Sequence, residues 1–90
     1  MRSQLLRAVD SIPANIAEGA GKSSELEFAR YLDIALGSAR EVDNHTMLAT
    51  ALGCIDEPSG AKVLTDVDEV KRIVYSLSRV VRLRANSRGS

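Results

Sequence analysis

Apolar residues recur at helical spacing along most of the chain. They fall into three stretches separated by two short breaks that contain glycine. In the first stretch Leu5, Val9, Ile12 and Ile16 follow steps of four, three and four, which lines one face of a helix. A helix is therefore expected over about 3–18, from the periodic positions alone. Pro13 falls inside it. Its ring offers no N–H to the carbonyl of Val9 and collides with it. The pattern predicts a kink or restart near Ser11–Pro13, with Ser11 capping the second half. Gly19 and Gly21 then close the helix in a loop.

Ser24 and Glu27 have the spacing of a capping box, in which a hydroxyl and a carboxylate satisfy the free N–H groups of a helix start. Beyond it Phe28, Leu32, Ala35, Ala39, Val42, Thr46 and Ala49 alternate steps of four and three. Leu26, Ala29, Leu36, Met47 and Leu48 widen the stripe. A second helix is expected over about 24–52, with Gly53 as its stop. Gly37 sits mid-helix, at a cost of roughly 1 kcal/mol against alanine. The expected compensation is close approach of another helix at Gly37, Ser38 and Ala39.

The third stretch opens at Pro58, a residue suited to the first helical position. Val63, Val67, Val70, Val74, Leu77 and Val81 repeat in the four-three rhythm, flanked by Leu64, Ile73, Val80 and Leu83. The β-branched residues would also suit a strand, but the period and a run of about 25 residues decide for a helix over about 58–84. Residues 85–90 read as a flexible tail.

The prediction is an all-α fold: one domain over 1–84, a three-helix up-and-down bundle with antiparallel neighbours joined by short connections. The first helix is too short to cover both long ones. Apolar surface is left over, and another element or another copy of the chain must cover it.

Composition narrows the picture. Apolar residues make 44% of the chain and charged residues 27%, which excludes disorder and fits a globular domain. Six glycines and two prolines are too few for the turns of an all-β domain. The single cysteine, Cys54, cannot form a disulfide within the chain, and the N-terminal stretch is interrupted by Arg7 and Asp10. A cytoplasmic location is expected. Cys54 reads as a small apolar filler. Twelve basic and twelve acidic residues cancel, but unevenly. Asp56 to Glu69 holds five acids and one base, whereas Lys71, Arg72, Arg79, Arg82, Arg84 and Arg88 follow with no acid among them. Part of that polarity suits the helix dipole. The remainder offers a basic end that could meet phosphates of RNA or DNA.

Templates for catalysis fail on the residues. Di-iron bundles need two Glu-x-x-His pairs, and the chain has one histidine, His45, four residues after Glu41. Gly19-Ala20-Gly21-Lys22-Ser23 lacks the glycine spacing of a phosphate loop. Acid pairs such as Glu25/Glu27 and Asp66/Asp68 point to different sides of a helix. No enzyme activity, metal or cofactor is expected.

One motif is distinctive. Ser11-Ile12-Pro13-Ala14-Asn15-Ile16-Ala17-Glu18-Gly19 follows Arg7-Ala8-Val9 and precedes Glu27–Glu41 with its Gly37-Ser38 element. Over roughly residues 4–83 the chain resembles the bacterial four-helix-bundle family also called 23S rRNA intervening-sequence proteins. These are related to the accessory variability determinant of diversity-generating retroelements, which works with a reverse transcriptase. The resemblance implies an up-and-down four-helix bundle that assembles as a ring-like homopentamer, with no established catalytic activity. The family pattern places a further helix before the segment that starts here near Ser3. The chain lacks it, which matches the leftover apolar surface. The retroelement relatives are strongly basic, and this chain is neutral.

The polar positions that match the family are Arg7, Ser11, Asn15, Glu18, Arg30, Ser38 and Glu41. Buried charges must be paired, so an interhelical network is expected, with Arg7 or Arg30 answering Glu18 or Glu41. The functional expectation is a non-catalytic assembly protein, a homo-oligomer. The alternative is a nucleic-acid accessory module that uses the basic surface of the last helix on RNA, DNA or a reverse transcriptase.

Overall fold

A computed structural model describes residues 2–87. Three helices make up the fold: α1 (Arg2–Ala20), α2 (Glu25–Ala51) and α3 (Glu57–Ser87), with no strand among the described residues. α2 is the middle element. It packs against both α1 and α3, while α1 and α3 make no close backbone approach to each other. The molecule measures 51 × 20 × 13 Å. Its long dimension is close to that of α3 alone, about 46 Å at the helical rise.

α1 runs unbroken through Pro13, so no restart occurs there. Proline removes a single hydrogen bond, and packing holds the helix on both sides of the gap. Ala8 and Ile12 join one core cluster, and Ile12 and Ile16 pack on the other. Ser11 does not act as a cap, because its hydroxyl is engaged across the helix pair with Ser38 at 2.7 Å.

The start of α2 follows the capping signal. Ser24 is the N-cap, and its hydroxyl oxygen accepts from the Glu27 N–H at 3.1 Å. The helix ends at Gly53 in a Schellman motif. Gly53 has φ +79, the Cys54 N–H donates to the Ala49 carbonyl at 2.8 Å, and the Gly53 N–H donates to that of Thr50 at 3.1 Å. Asp56 caps α3, accepting from the Ser59 N–H at 3.2 Å. The Ser59 hydroxyl and then the Ser59 N–H hold the Asp56 carboxyl below the usual aspartate range. Pro58 is the second helical residue, one later than expected. α3 also extends past residue 84, because Ala85 is buried and continues the core stripe. Only 88–90 of the expected tail lie outside the described residues.

Two apolar clusters share α2. Ala29, Leu32, Ala35 and Leu36 meet Val74 and Val81 of α3, with Ile12, Ile16, Phe28, Val70 and Leu77 packed around them. Ala8 of α1 joins Ala39 and Val42 of α2 and Val67 of α3. Leu32 and Val42 are wholly enclosed. Truncating a residue so placed costs about 2–5 kcal/mol.

The close helix approach expected at Gly37 is absent. A Cβ there would meet nothing within 4 Å, although Ser38 and Ala39 beside it are buried. The tight contacts lie at the ends of the long helix instead. A Cβ on Gly19 would sit 2.6 Å from the Tyr31 Cβ and 3.3 Å from the Phe28 carbonyl oxygen. A Cβ on Gly60 would strike the Thr50 hydroxyl. Cys54 is exposed rather than a core filler, because the Schellman turn lifts it off the helix.

These environments predict opposite signs for one substitution. Gly19→Ala should destabilise by about 1–3 kcal/mol through overpacking. Gly37→Ala should stabilise by about 0.5–1 kcal/mol through helix propensity. Urea unfolding of both variants checks this, and a destabilised Gly37→Ala would mean that Gly37 meets a neighbour in solution.

Candidate functional site

Five of the seven family-matching polar residues gather on the outer flank of the α1–α2 seam. Ser11 and Asn15 lie one turn apart on α1, and Asn15 reaches back. Its Nδ2 donates to the Ser11 carbonyl at 2.8 Å and to the Ser11 hydroxyl oxygen at 2.9 Å. The Ser11 and Ser38 hydroxyls share one hydrogen bond. Ser38 is buried, so this pair forms a polar floor inside an apolar seam. Above the floor a cleft of about 350 Å³ is walled by Arg7 and Gln4 of α1 and by Glu41 and His45 of α2.

Four of the seven positions, Arg7, Ser11, Ser38 and Glu41, thus line one cleft, and Asn15 braces its floor. Glu18 and Arg30 lie elsewhere. Glu18 is exposed on α1, and Arg30 borders a separate surface hollow with Glu27 and Tyr31. Among the described residues no ion pair joins Arg7 or Arg30 to Glu18 or Glu41. All four are exposed, so each keeps its hydration and has no need of a partner. Neutral hydroxyls link the helices here instead of charges. Gln4 and His45 complete the cleft. Their spacing could have shown it: Gln4 lies seven residues before Ser11, and His45 lies seven after Ser38.

The basic residues of α3 do not form one uniform face. Lys71 pairs with Asp43 of α2 at 2.6 Å, in the most sheltered ion pair of the described residues. Arg82 pairs with Asp33 of α2, whose other oxygen accepts from the Ser78 hydroxyl at 3.4 Å. Arg72 pairs with Asp68 one turn before it on α3, at 3.0 Å. Arg79 and Arg84 make no ion pair among the described residues, and Arg88 lies outside them. Two of these cations therefore fasten α3 to α2. No group of three or more His, Cys, Asp or Glu side chains among the described residues could hold a metal ion. No helix among them is long and apolar enough to cross a membrane.

The sequence model of the family described as "23S rRNA-intervening sequence protein" matches residues 1–76. The chain belongs to this family. Among solved structures, the chain is similar to a protein of unknown function from the S23 ribosomal protein family of Bacteroides thetaiotaomicron. The TM-score is 0.81 and the identity 29%, over 84% of this chain and 70% of that one. No curated protein matches the chain.

The hydroxyl floor predicts a selective effect on stability. Ser38→Ala should lose about 1 kcal/mol, the net worth of one partly buried hydrogen bond. Glu18→Ala and Arg30→Gln should stay within about 0.5 kcal/mol of the parent. Equilibrium unfolding distinguishes the cases. A marked loss in Glu18→Ala would restore the charge network that the contacts lack.

Proposed function

We propose that the protein acts without catalysis, in the cytoplasm, by assembling with further copies of itself and offering the assembly to partners. The observation that carries this reading is an open apolar groove. α1 and α3 lean on the same helix with no close backbone approach between them. By helical phase, Leu5, Val9 and Ile16 look into the space between them from one side, and Val70, Ile73 and Leu77 from the other. Val9 is 43% exposed and Ile73 59%. Ten large aliphatic side chains, Val9 and Ile73 among them, are exposed among the described residues, a heavy load for so small a domain.

Contact pairs support the up-and-down, antiparallel order within the chain. Ser11 meets Ser38, while Gly19, further along α1, meets the earlier Tyr31. Asp33 meets Arg82, while Asp43 meets the earlier Lys71. A helix from another copy laid along the groove would give the fourth member of a four-helix bundle. Zero net charge removes long-range repulsion between copies. The family resemblance favours a closed ring of about five copies. A nucleic-acid module spread along the whole basic stripe of α3 has less support, since Lys71, Arg72 and Arg82 already have carboxylate partners.

Native mass spectrometry tests the reading. The parent chain should appear as an oligomer, and Val9→Lys and Ile73→Lys should shift it toward monomer while retaining helical circular dichroism. A parent chain that stays monomeric at micromolar concentration would contradict self-assembly.

A further inference from the structure

The α2–α3 seam carries a second polar cleft, on the flank away from the apolar groove. Its volume is about 440 Å³, within the range of small-molecule sites. Two interlocking faces build it. Asp33, Leu36 and Arg40 are spaced at three and four residues on α2, and Tyr75, Ser78, Arg79 and Arg82 occupy one face of α3.

The charges in this cleft do not balance. Three guanidiniums and one carboxylate line it, leaving two positive charges. Asp33 is already committed, since it accepts from both Ser78 and Arg82. Arg40 and Arg79 make no ion pair among the described residues, yet they border the same cleft from opposite helices. No carboxylate among the described residues neutralises either one, and a dianion between them would. Arginine presents paired donors suited to phosphate oxygens. Tyr75 adds an aromatic ring to the rim, 58% exposed, on which a planar base can stack. Leu36 is a buried apolar wall between them.

We infer that this cleft binds the phosphate monoester of a nucleotide: Arg40 and Arg79 hold the phosphate, Tyr75 stacks the base, and Asp33 fixes Arg82 at the edge. The same chemistry is presented by a free mononucleotide and by the terminal phosphate of a single strand. The site stands apart from self-assembly, because none of its residues lines the apolar groove.

Calorimetric titration with AMP tests it, with adenosine and inorganic phosphate as the two halves and a short 5′-phosphorylated adenylate RNA strand as the other source. AMP should bind about tenfold or more tightly than either half, and more weakly as salt rises. Arg40→Gln and Arg79→Gln should each weaken AMP by about tenfold. Tyr75→Leu should bring AMP toward the affinity of phosphate. Arg84→Gln, outside the cleft, should leave binding unchanged. The substituted side chains are exposed, and circular dichroism checks that each variant is folded. A strand that binds more tightly than AMP assigns the site to nucleic acid, and equal affinities assign it to the mononucleotide. The inference is overturned if neither AMP nor the strand binds. It is also overturned if phosphate alone matches AMP, or if the arginine variants bind like the parent.

Discussion

Everything in this fold leans on one rod. α2 must bury surface against a helix on each side, and it does so with small residues where the neighbours come nearest. Ala29, Ala35, Ala39 and Ala49 are almost fully covered, and Leu32 and Val42 fill the space between them. Alanine keeps the helix strong while letting other backbones approach. Glycine at position 19 extends the same logic to the α1 crossing, where even a methyl group collides with Tyr31. Ion pairs then add register rather than bulk stability. Asp43 and Asp33, ten residues apart on α2, catch Lys71 and Arg82 of α3.

A middle helix that serves two neighbours has a geometric consequence. The outer helices make no close backbone approach to each other and leave apolar flanks exposed among the described residues. Residues on those flanks are the same kind of residue as those in the core, as Ile73 beside Val74 illustrates: one is 59% exposed and the other 3%. The polar clefts occupy the opposite situation. They lie along the outer edges of the two seams, where the paired helices turn hydrophilic faces to one side. One is floored by neutral hydroxyls between α1 and α2. The other is rimmed by arginines between α2 and α3.

Much of this was legible in the sequence, because helix periodicity and capping are local. Ser24, Gly53 and the four-three repeats mark the three helices to within a few residues. The restart at Pro13 and the tail from Ala85 were misread for the same reason. Local rules restart a helix at proline and fray it where apolar residues run out, but packing of Ile12, Ile16 and Ala85 extends it through both. The polar site was half legible. The motif brought Arg7, Ser11, Asn15, Ser38 and Glu41 to one place, but grouped Glu18 and Arg30 with them, though they face elsewhere. Which charges pair depends on the rotation of one helix against another. That rotation set Arg82 on Asp33 and Lys71 on Asp43, and left Arg40 and Arg79 to share a cleft.

We propose that the exposed mouth between α1 and α3 is covered by another copy, so that folding and association are linked. The most direct measurement is the melting temperature as a function of protein concentration. Linked association predicts that it rises with concentration and that the rise disappears when a lysine is placed in the groove. A melting temperature independent of concentration, in a chain that unfolds reversibly, would contradict the account.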